Sequence, residues 1–314
     1  MTKPRSLFME VFKMSKLELV LSQESYKPGD KVEGNILLSI DKETKVRDIV
    51  IEVYGEEYTH ITRTHGSGKN KRTVTHTEHV EIIDESQSLL GQFDKTFQLD
   101  PYAKGKNTIL PVGQHCFKFS FQLPNDAAPT YDGSNAEVSY EIYAKADRPW
   151  RFDLKAEDNI RVIPADAKET TTQSTTLEEK SGGKIMPQAL SPDIKMSVQL
   201  NKTAYKRGET IEGKLIVNNN SGKSIRNILL SLYANEHAEA GGYTEDSTVM
   251  ETSEKVPVTY SDLNYFEQTF KIQVPNDIIP TMSKKYFNIN WYLNIGLDVA
   301  KASDLETETD LIIT

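Results

Sequence analysis

The chain contains one pattern twice. Residues 26–57, YKPGDKVEGNILLSIDKETKVRDIVIEVYGEE, align without a gap on residues 205–236, YKRGETIEGKLIVNNNSGKSIRNILLSLYANE. Tyr26 falls on Tyr205, Gly29 on Gly208, Glu33-Gly34 on Glu212-Gly213, Arg47 on Arg226 and Tyr54 on Tyr233. A second ungapped block places FSFQLPNDAAPTY (119–131) on FKIQVPNDIIPTM (270–282), with Pro124-Asn125-Asp126 on Pro275-Asn276-Asp277. Beyond it, Val138, Tyr140, Ile142 and Ala144 fall on Ile289, Trp291, Leu293 and Ile295. Order and spacing kept over two blocks imply that both halves take one fold, so the chain reads as a tandem of two equivalent modules. Its 314 residues agree, at roughly 100–200 residues per domain.

The repeated unit is built of strands. KLELVLSQ (16–23) alternates Leu17, Leu19 and Leu21 with polar neighbours, the period of a half-buried strand. The same alternation runs through 32–40, 46–55, 115–123 and 136–145, and no long segment has the helical period. Turn chemistry separates the runs at Pro28-Gly29-Asp30, Gly66-Ser67-Gly68, Pro124-Asn125-Asp126 and Asp132-Gly133. Short alternating strands punctuated in this way predict an all-β chain of antiparallel β-sandwiches. Phe117, Phe119, Phe121, Tyr140 and Trp291 read as inward-facing. Residues 164–192 are rich in Thr, Ser, Gly, Pro and charge and lack periodicity. The expected organisation is a first domain over 1–164, a flexible linker over 165–192 and a second domain over 193–314.

Charge and composition then exclude function classes. With 37 Lys+Arg against 46 Asp+Glu, the formal charge is −9. A uniformly acidic protein is a poor general binder of nucleic acid or anionic membrane, so any such contact needs a local basic patch. No apolar run approaches the roughly 20 residues of a membrane helix. The N-terminal MTKPRSLFMEVFKMSK has scattered charges and no continuous apolar core, unlike a secretory signal. Its Leu7, Phe8, Val11, Phe12 and Met14 either pack on the body or form a weak peripheral anchor. No GxSxG, HExxH, P-loop or GxGxxG stands in a catalytic setting, so no catalytic residues and no cofactor are expected. The single cysteine, Cys116, excludes an internal disulfide, fits a reducing compartment and reads as a small packing residue.

Two candidate sites stand out. Between the aligned blocks the first copy runs over 58–118 and the second over only 237–269, which leaves an extra stretch near 58–85 in the first. YTHITRTHGSGKNKRTVTHTEHVEII reads as two polar strands around Gly66-Ser67-Gly68, carrying Arg63, Lys69, Lys71 and Arg72. One reading is an arm that meets acidic or phosphorylated cargo, or a lipid headgroup, through charge-assisted hydrogen bonds. The other is a solvated β-arm whose charges discourage edge pairing. His60, His65, His76 and His79 lie in the same arm, but no carboxylate or cysteine sits beside them at a regular ligand spacing, so they read as solvated and no metal is expected. The second candidate is the first strand, LELVL, flanked by Lys13 and Lys16.

These features resemble the arrestin superfamily, and most closely its α-arrestin (arrestin-domain-containing) branch. The resemblance rests on LELVLSQESYKPGDKVEGNILLSI with VRDIVIEVYGEE, on LPVGQHCFKFSFQLPNDAAPTYDG, and on VSYEIYAKADRPWRFD with its Arg148-Pro149. In the second half it rests on VQLNKTAYKRGETIEGKLIV and the closing ETDLIIT. It implies two tandem arrestin-like, immunoglobulin-like sandwiches acting as a non-enzymatic adaptor or scaffold. The implied partners are cytosolic segments of membrane proteins and trafficking or sorting factors, not nucleic acid. The implied location is the cytoplasm, with peripheral contact at anionic membranes. Cargo tails would add as a strand beside LELVL, with Lys13 and Lys16 choosing acidic or phosphorylated residues; the competing reading is that both lysines are ordinary solvated charges. The branch usually carries Pro-Pro-x-Tyr motifs in a C-terminal tail. None occurs here, so ligase recruitment by that route is not expected. Arg161 is the residue that could be placed loosely at the buried charged cluster of other arrestins, and no acidic partners are evident for it. The alternative function is a self-associating regulatory or structural protein, like the bacterial sporulation-control proteins of this fold, with no membrane cargo.

Overall fold

A computed structural model describes residues 14–90, 108–165, 175–180, 194–259 and 264–314. The first half contains β1 (Lys16–Leu21), β2 (Lys31–Ile40), β3 (Thr44–Val46), β4 (Asp48–His65), β5 (Arg72–Ser88), β6 (Thr108–Leu110), β7 (Gly113–Gln122), β8 (Tyr131–Asp132), β9 (Ala136–Asp147) and β10 (Leu154–Asn159). One sheet has the order β1-β2-β7 and the other β10-β9-β4-β5, with β8 on β9; β3 and β6 pair by themselves.

The second half contains β11 (Thr175–Lys180), β12 (Ile194–Leu200), β13 (Ala204–Tyr205), β14 (Thr210–Asn219), β15 (Ile225–Ala240), β16 (Tyr243–Pro257), β17 (Tyr265–Gln273), β18 (Met282–Ser283), β19 (Phe287–Val299) and β20 (Leu305–Ile313). Its sheets run β11-β12-β14-β17 and β13-β20-β19-β15-β16, with β18 on β19. Strand for strand, β12, β14 and β17 repeat β1, β2 and β7, while β20, β19, β15 and β16 repeat β10, β9, β4 and β5. The tandem β-sandwich architecture is therefore as the duplication implies.

Alternation builds each core. Phe117, Phe119 and Phe121 are buried along β7, as are Val138, Tyr140, Ile142 and Ala144 along β9 and Ile289, Trp291, Leu293 and Ile295 along β19. The same period corrects the reading of Cys116. It lies one residue from Phe117, so its side chain must leave on the opposite face, and it is exposed.

The two copies agree down to single polar contacts. Tyr140 donates its hydroxyl to the Ala128 carbonyl at 2.6 Å, and the Trp291 indole N–H donates to the Ile279 carbonyl at 2.9 Å. Thr130 and Thr281 each accept, at 2.9 Å, the backbone N–H of Val162 and of Ile313. Gly34 pairs with Phe119 and Gly213 with Phe270. A Cβ at Gly34 would stand 2.5 Å from the Phe119 ring and one at Gly213 2.2 Å from that of Phe270, so in both copies a phenyl ring lies where a side chain would otherwise be.

The described residues divide into two compact units, one comprising 14–57, 79–90, 108–131 and 138–163 and the other 58–78, 132–137 and the described residues from 164 onward. The arm 58–78 thus packs in the second unit, although its sequence interrupts the first module. Within the segment read as a linker, Thr175–Lys180 forms β11, antiparallel to β12 with Thr175 opposite Leu200 and Lys180 opposite Lys195. A stretch that cannot bury its own core is ordered here by the backbone groups of a neighbouring sheet edge.

Candidate functional site

The first candidate surface is the outer edge of β1. Leu17 is buried and Leu19 and Leu21 are half-buried, whereas Lys16, Glu18 and Val20 face outward. On its inner side β1 pairs with β2 from Lys16–Ser39 to Leu21–Gly34. Among the described residues no strand pairs on its outer side, and β10 of the other sheet runs close to β1. Lys16 is ion-paired with Glu18 on the same strand, so the edge is locally neutral rather than basic. Lys13 lies outside the described residues.

The second candidate is the arm. Strands β4 and β5 form the expected hairpin, closed by a single 3₁₀ turn over Gly68–Asn70. Its charge is polarised. At the base, Tyr54 donates to Glu56 at 2.8 Å, and the same Glu56 oxygen lies 2.9 Å from His79 Nδ1. That hydrogen bond, then burial and the charges of Glu56, Glu81 and Asp84, push the Tyr54 phenol up to about 12. The tip is basic, with Lys71 and Arg72 exposed and Lys69 within the turn.

Arg63 is not available to an outside partner in the way its sequence position suggests. Within the second unit its guanidinium pairs with Glu245 at 2.6 Å, donates to the Thr244 carbonyl at 2.7 Å and lies 5.7 Å from the Tyr243 ring centre. Thr59 donates to the Glu239 carbonyl at 2.7 Å. The side chain of Glu236, fully buried, accepts the backbone and side-chain N–H groups of Asn135 at 2.7 and 3.2 Å. The arm is thus fastened by directed polar bonds. The histidines divide in the same way. His65 and His79 are exposed, but His60 and His76 are half-buried, and His76 packs against Tyr243 with ring centres 4.7 Å apart. The reading of all four as solvated therefore fails for two of them, because the arm has a packed face.

Lys16 stands on the β1 edge in the first unit, while Arg63, Lys71 and Arg72 belong to the arm in the second. Arg161 is exposed, and its carbonyl accepts the N–H of Tyr26 at 2.9 Å. Among the described residues no group of three or more His, Cys, Asp or Glu side chains is arranged to hold a metal ion. Nor is any helix among them long and apolar enough to cross a membrane. Sequence reasoning missed Trp150 and Phe152, which stand out on the turn between β9 and β10. Their signal lay in the two aromatics of RPWRFD, which break the polar composition normal for a turn.

Comparison with known proteins agrees with this geometry. The family model for the N-terminal domain of arrestin (or S-antigen) matches residues 16–166, and that for its C-terminal domain matches residues 191–314. Arrestin domain-containing protein A of Dictyostelium discoideum is 26% identical over 306 residues, covering 93% of this chain and 50% of that protein. Arrestin domain-containing protein 17 of Caenorhabditis elegans is 23% identical over 64% of this chain and 47% of its own length. Human arrestin domain-containing protein 5 is 22% identical over 82% of this chain and 74% of its own length. The chain spans about half the length of the first two relatives. With two family models in tandem on two copies of one sandwich, the chain belongs to the arrestin-domain-containing proteins.

Proposed function

We propose that the chain is a cytoplasmic adaptor that binds an extended cytosolic segment of a membrane-protein cargo, or of a sorting factor, by adding it as a strand to β1. Its work is binding and not bond-making. The observation that carries this reading is the contrast between β1 and β12, which hold the same place in the two copies. On β12 the chain lays its own strand β11, antiparallel and in register over six residue pairs. The corresponding edge of β1 carries no strand among the described residues. A strand added there would gain backbone hydrogen bonds, whose affinity depends little on cargo sequence. The charges then act as a selector. Lys16 is offset by Glu18, so discrimination for acidic or phosphorylated cargo at this edge would fall to Lys13.

The test is amide hydrogen exchange of the full chain with and without an extended acidic peptide. Strand addition should raise protection of the outward amides of residues 16–21 by about tenfold or more, with much smaller changes in β12. Binding that leaves β1 unchanged would remove this reading. Protection of the same residues that grows with protein concentration alone, together with a rise in mass, would favour self-association instead.

A further inference from the structure

We propose that the turn from Arg148 to Asp153 is a membrane-contacting tip of the first sandwich, which sets Trp150 and Phe152 into the interface of an anionic bilayer while Arg151 meets headgroup phosphates. This assignment does not depend on strand addition at β1.

Trp150 and Phe152 have relative exposures of 102% and 95%, so both rings stand clear of the protein. Large aromatic side chains left wholly in water are uncommon on a protein surface and mark interaction sites when they cluster. These do cluster. Met14, 77% exposed, lines the same open depression of about 870 Å³ as Trp150 and Phe152. Val112, also exposed, precedes β7 at the end of the sheet where Gly113 pairs with Ile40.

The duplication supplies an internal control on whether the fold requires those rings. The turn from β19 to β20 repeats the turn from β9 to β10. Trp150 has φ of 63° and Lys301 has φ of 57°. Asp153 accepts the Arg148 N–H at 3.1 Å, and Asp304 accepts the Val299 N–H at 3.4 Å. The Arg151 N–H donates to the Arg148 carbonyl at 3.4 Å, and the Ala302 N–H to that of Val299 at 3.3 Å. One copy makes this turn with Trp150-Arg151-Phe152 and the other with Lys301-Ala302-Ser303. The backbone therefore needs neither aromatic, and a bulky ring at positive φ is the less comfortable choice. What distinguishes the first turn is what it offers outward.

Its chemistry fits a lipid interface better than a peptide. A peptide site part-encloses its aromatic anchors, whereas these rings project. Tryptophan carries an apolar body with one polar N–H and concentrates at the headgroup level of bilayers, with arginine beside it. On a chain of net charge −9, the acids near the turn are engaged, Asp41 in the same depression by a hydrogen bond from the Ser15 hydroxyl. Asp147 is paired with Arg47 at 2.6 Å, and Asp153 caps the turn. The Arg148 guanidinium donates to the Phe152 carbonyl at 2.8 Å, which props the turn, and among the described residues Arg151 makes no ion pair. An exposed guanidinium between two exposed aromatics suits an anionic headgroup.

The chain has two tryptophans, Trp150 in water and Trp291 in the core at 1% exposure, so fluorescence reports on the turn directly. The full chain should co-sediment with phosphatidylcholine vesicles containing about 30% phosphatidylserine, with a blue shift of Trp150 and quenching by brominated acyl chains. The triple substitution Trp150→Lys, Arg151→Ala and Phe152→Ser, which copies the second turn, should lower partitioning by about tenfold or more while leaving the unfolding transition in place. Unchanged Trp150 emission on these vesicles would overturn the proposal. So would a triple variant that partitions like its parent, or a shift produced by an acidic peptide and not by vesicles. Equal partitioning onto pure phosphatidylcholine would overturn the anionic part of the assignment.

Discussion

In the second sandwich β12 carries β11 along its outer side, and the turn after β19 presents Lys301, Ala302 and Ser303. In the first, β1 ends its sheet among the described residues, and the turn after β9 presents Trp150, Arg151 and Phe152. Behind these rims the two interiors match position for position, from Gly34 and Gly213 under their phenyl rings to Tyr140 and Trp291 with their aligned carbonyl partners. Positions that bury surface are fixed by what they touch, so both copies keep them. Positions at an edge or on a turn are constrained only by backbone geometry, and there the copies diverge. Divergence on a shared scaffold is therefore a pointer to use, and it points at the first sandwich.

Three experiments would break or sharpen that comparison. The largest effect belongs to the shared core. Trp291→Ala should cost about 3–5 kcal/mol, read by denaturant unfolding, through the cavity and the orphaned Ile279 carbonyl. Tyr140→Phe keeps the ring and loses only the bond to Ala128, so it should cost about 1–2 kcal/mol. If the polar handle proved silent in one copy and costly in the other, the equivalence of the interiors would fail. Next come Gly34→Ala and Gly213→Ala, each expected to destabilise by about 1–3 kcal/mol because the new methyl group overlaps a phenyl ring held in the core. A neutral result at Gly213 would show that the ring has room to move, and one at Gly34 that the Val20 carbonyl, 2.5 Å from the same Cβ, gives way as well.

The smallest effect concerns the aligned ion pairs Arg47–Asp147 and Arg226–Asp298, both at the surface. Asn227 donates to Asp298 at 2.8 Å, while the aligned Asp48 is turned to the Ile49 N–H and the Ser88 hydroxyl. The Asn227 amide, then Arg226, hold the Asp298 carboxyl below its ordinary value. A depressed folded-state value gives stability that is present above the unfolded pKa of about 3.9 and lost as pH falls through the folded value. Carboxyl titration by NMR should place Asp298 below that figure, and Asn227→Ala should move it back up. No movement would remove the Asn227 contribution from the account.

Much of the fold was legible because alternation and duplication are properties of local sequence. The inward residues of β7, β9 and β19 followed from period 2 alone. Cys116 shows the same rule working against an isolated judgement, since a residue between His115 and Phe117 cannot share the phenylalanine face. The arm was legible as a hairpin, but not the place where it packs. Arg63 meets Glu245, a partner 182 positions away, and nothing local announces such a pairing. Likewise β11 has no core of its own and is ordered by an edge that only the folded sheet supplies. Of the candidate sites, the β1 edge was readable as a strand but not as an unpaired one. The significance of Trp150 needed the second turn beside it for scale.

The Tyr26 N–H donates to the Arg161 carbonyl at 2.9 Å and the Ile163 N–H returns to Tyr26 at 2.8 Å, while Tyr205 is clasped by Ile313 and Thr314 through β13 and β20. The opening turn of a module thus waits for that module's final residues. Such distant closure is slow to find, and it makes each sandwich complete only when its last few residues leave the ribosome. The first module can latch as soon as residue 163 has emerged, while its sibling is still being synthesised, so two halves of one fold have least opportunity to exchange strands with one another.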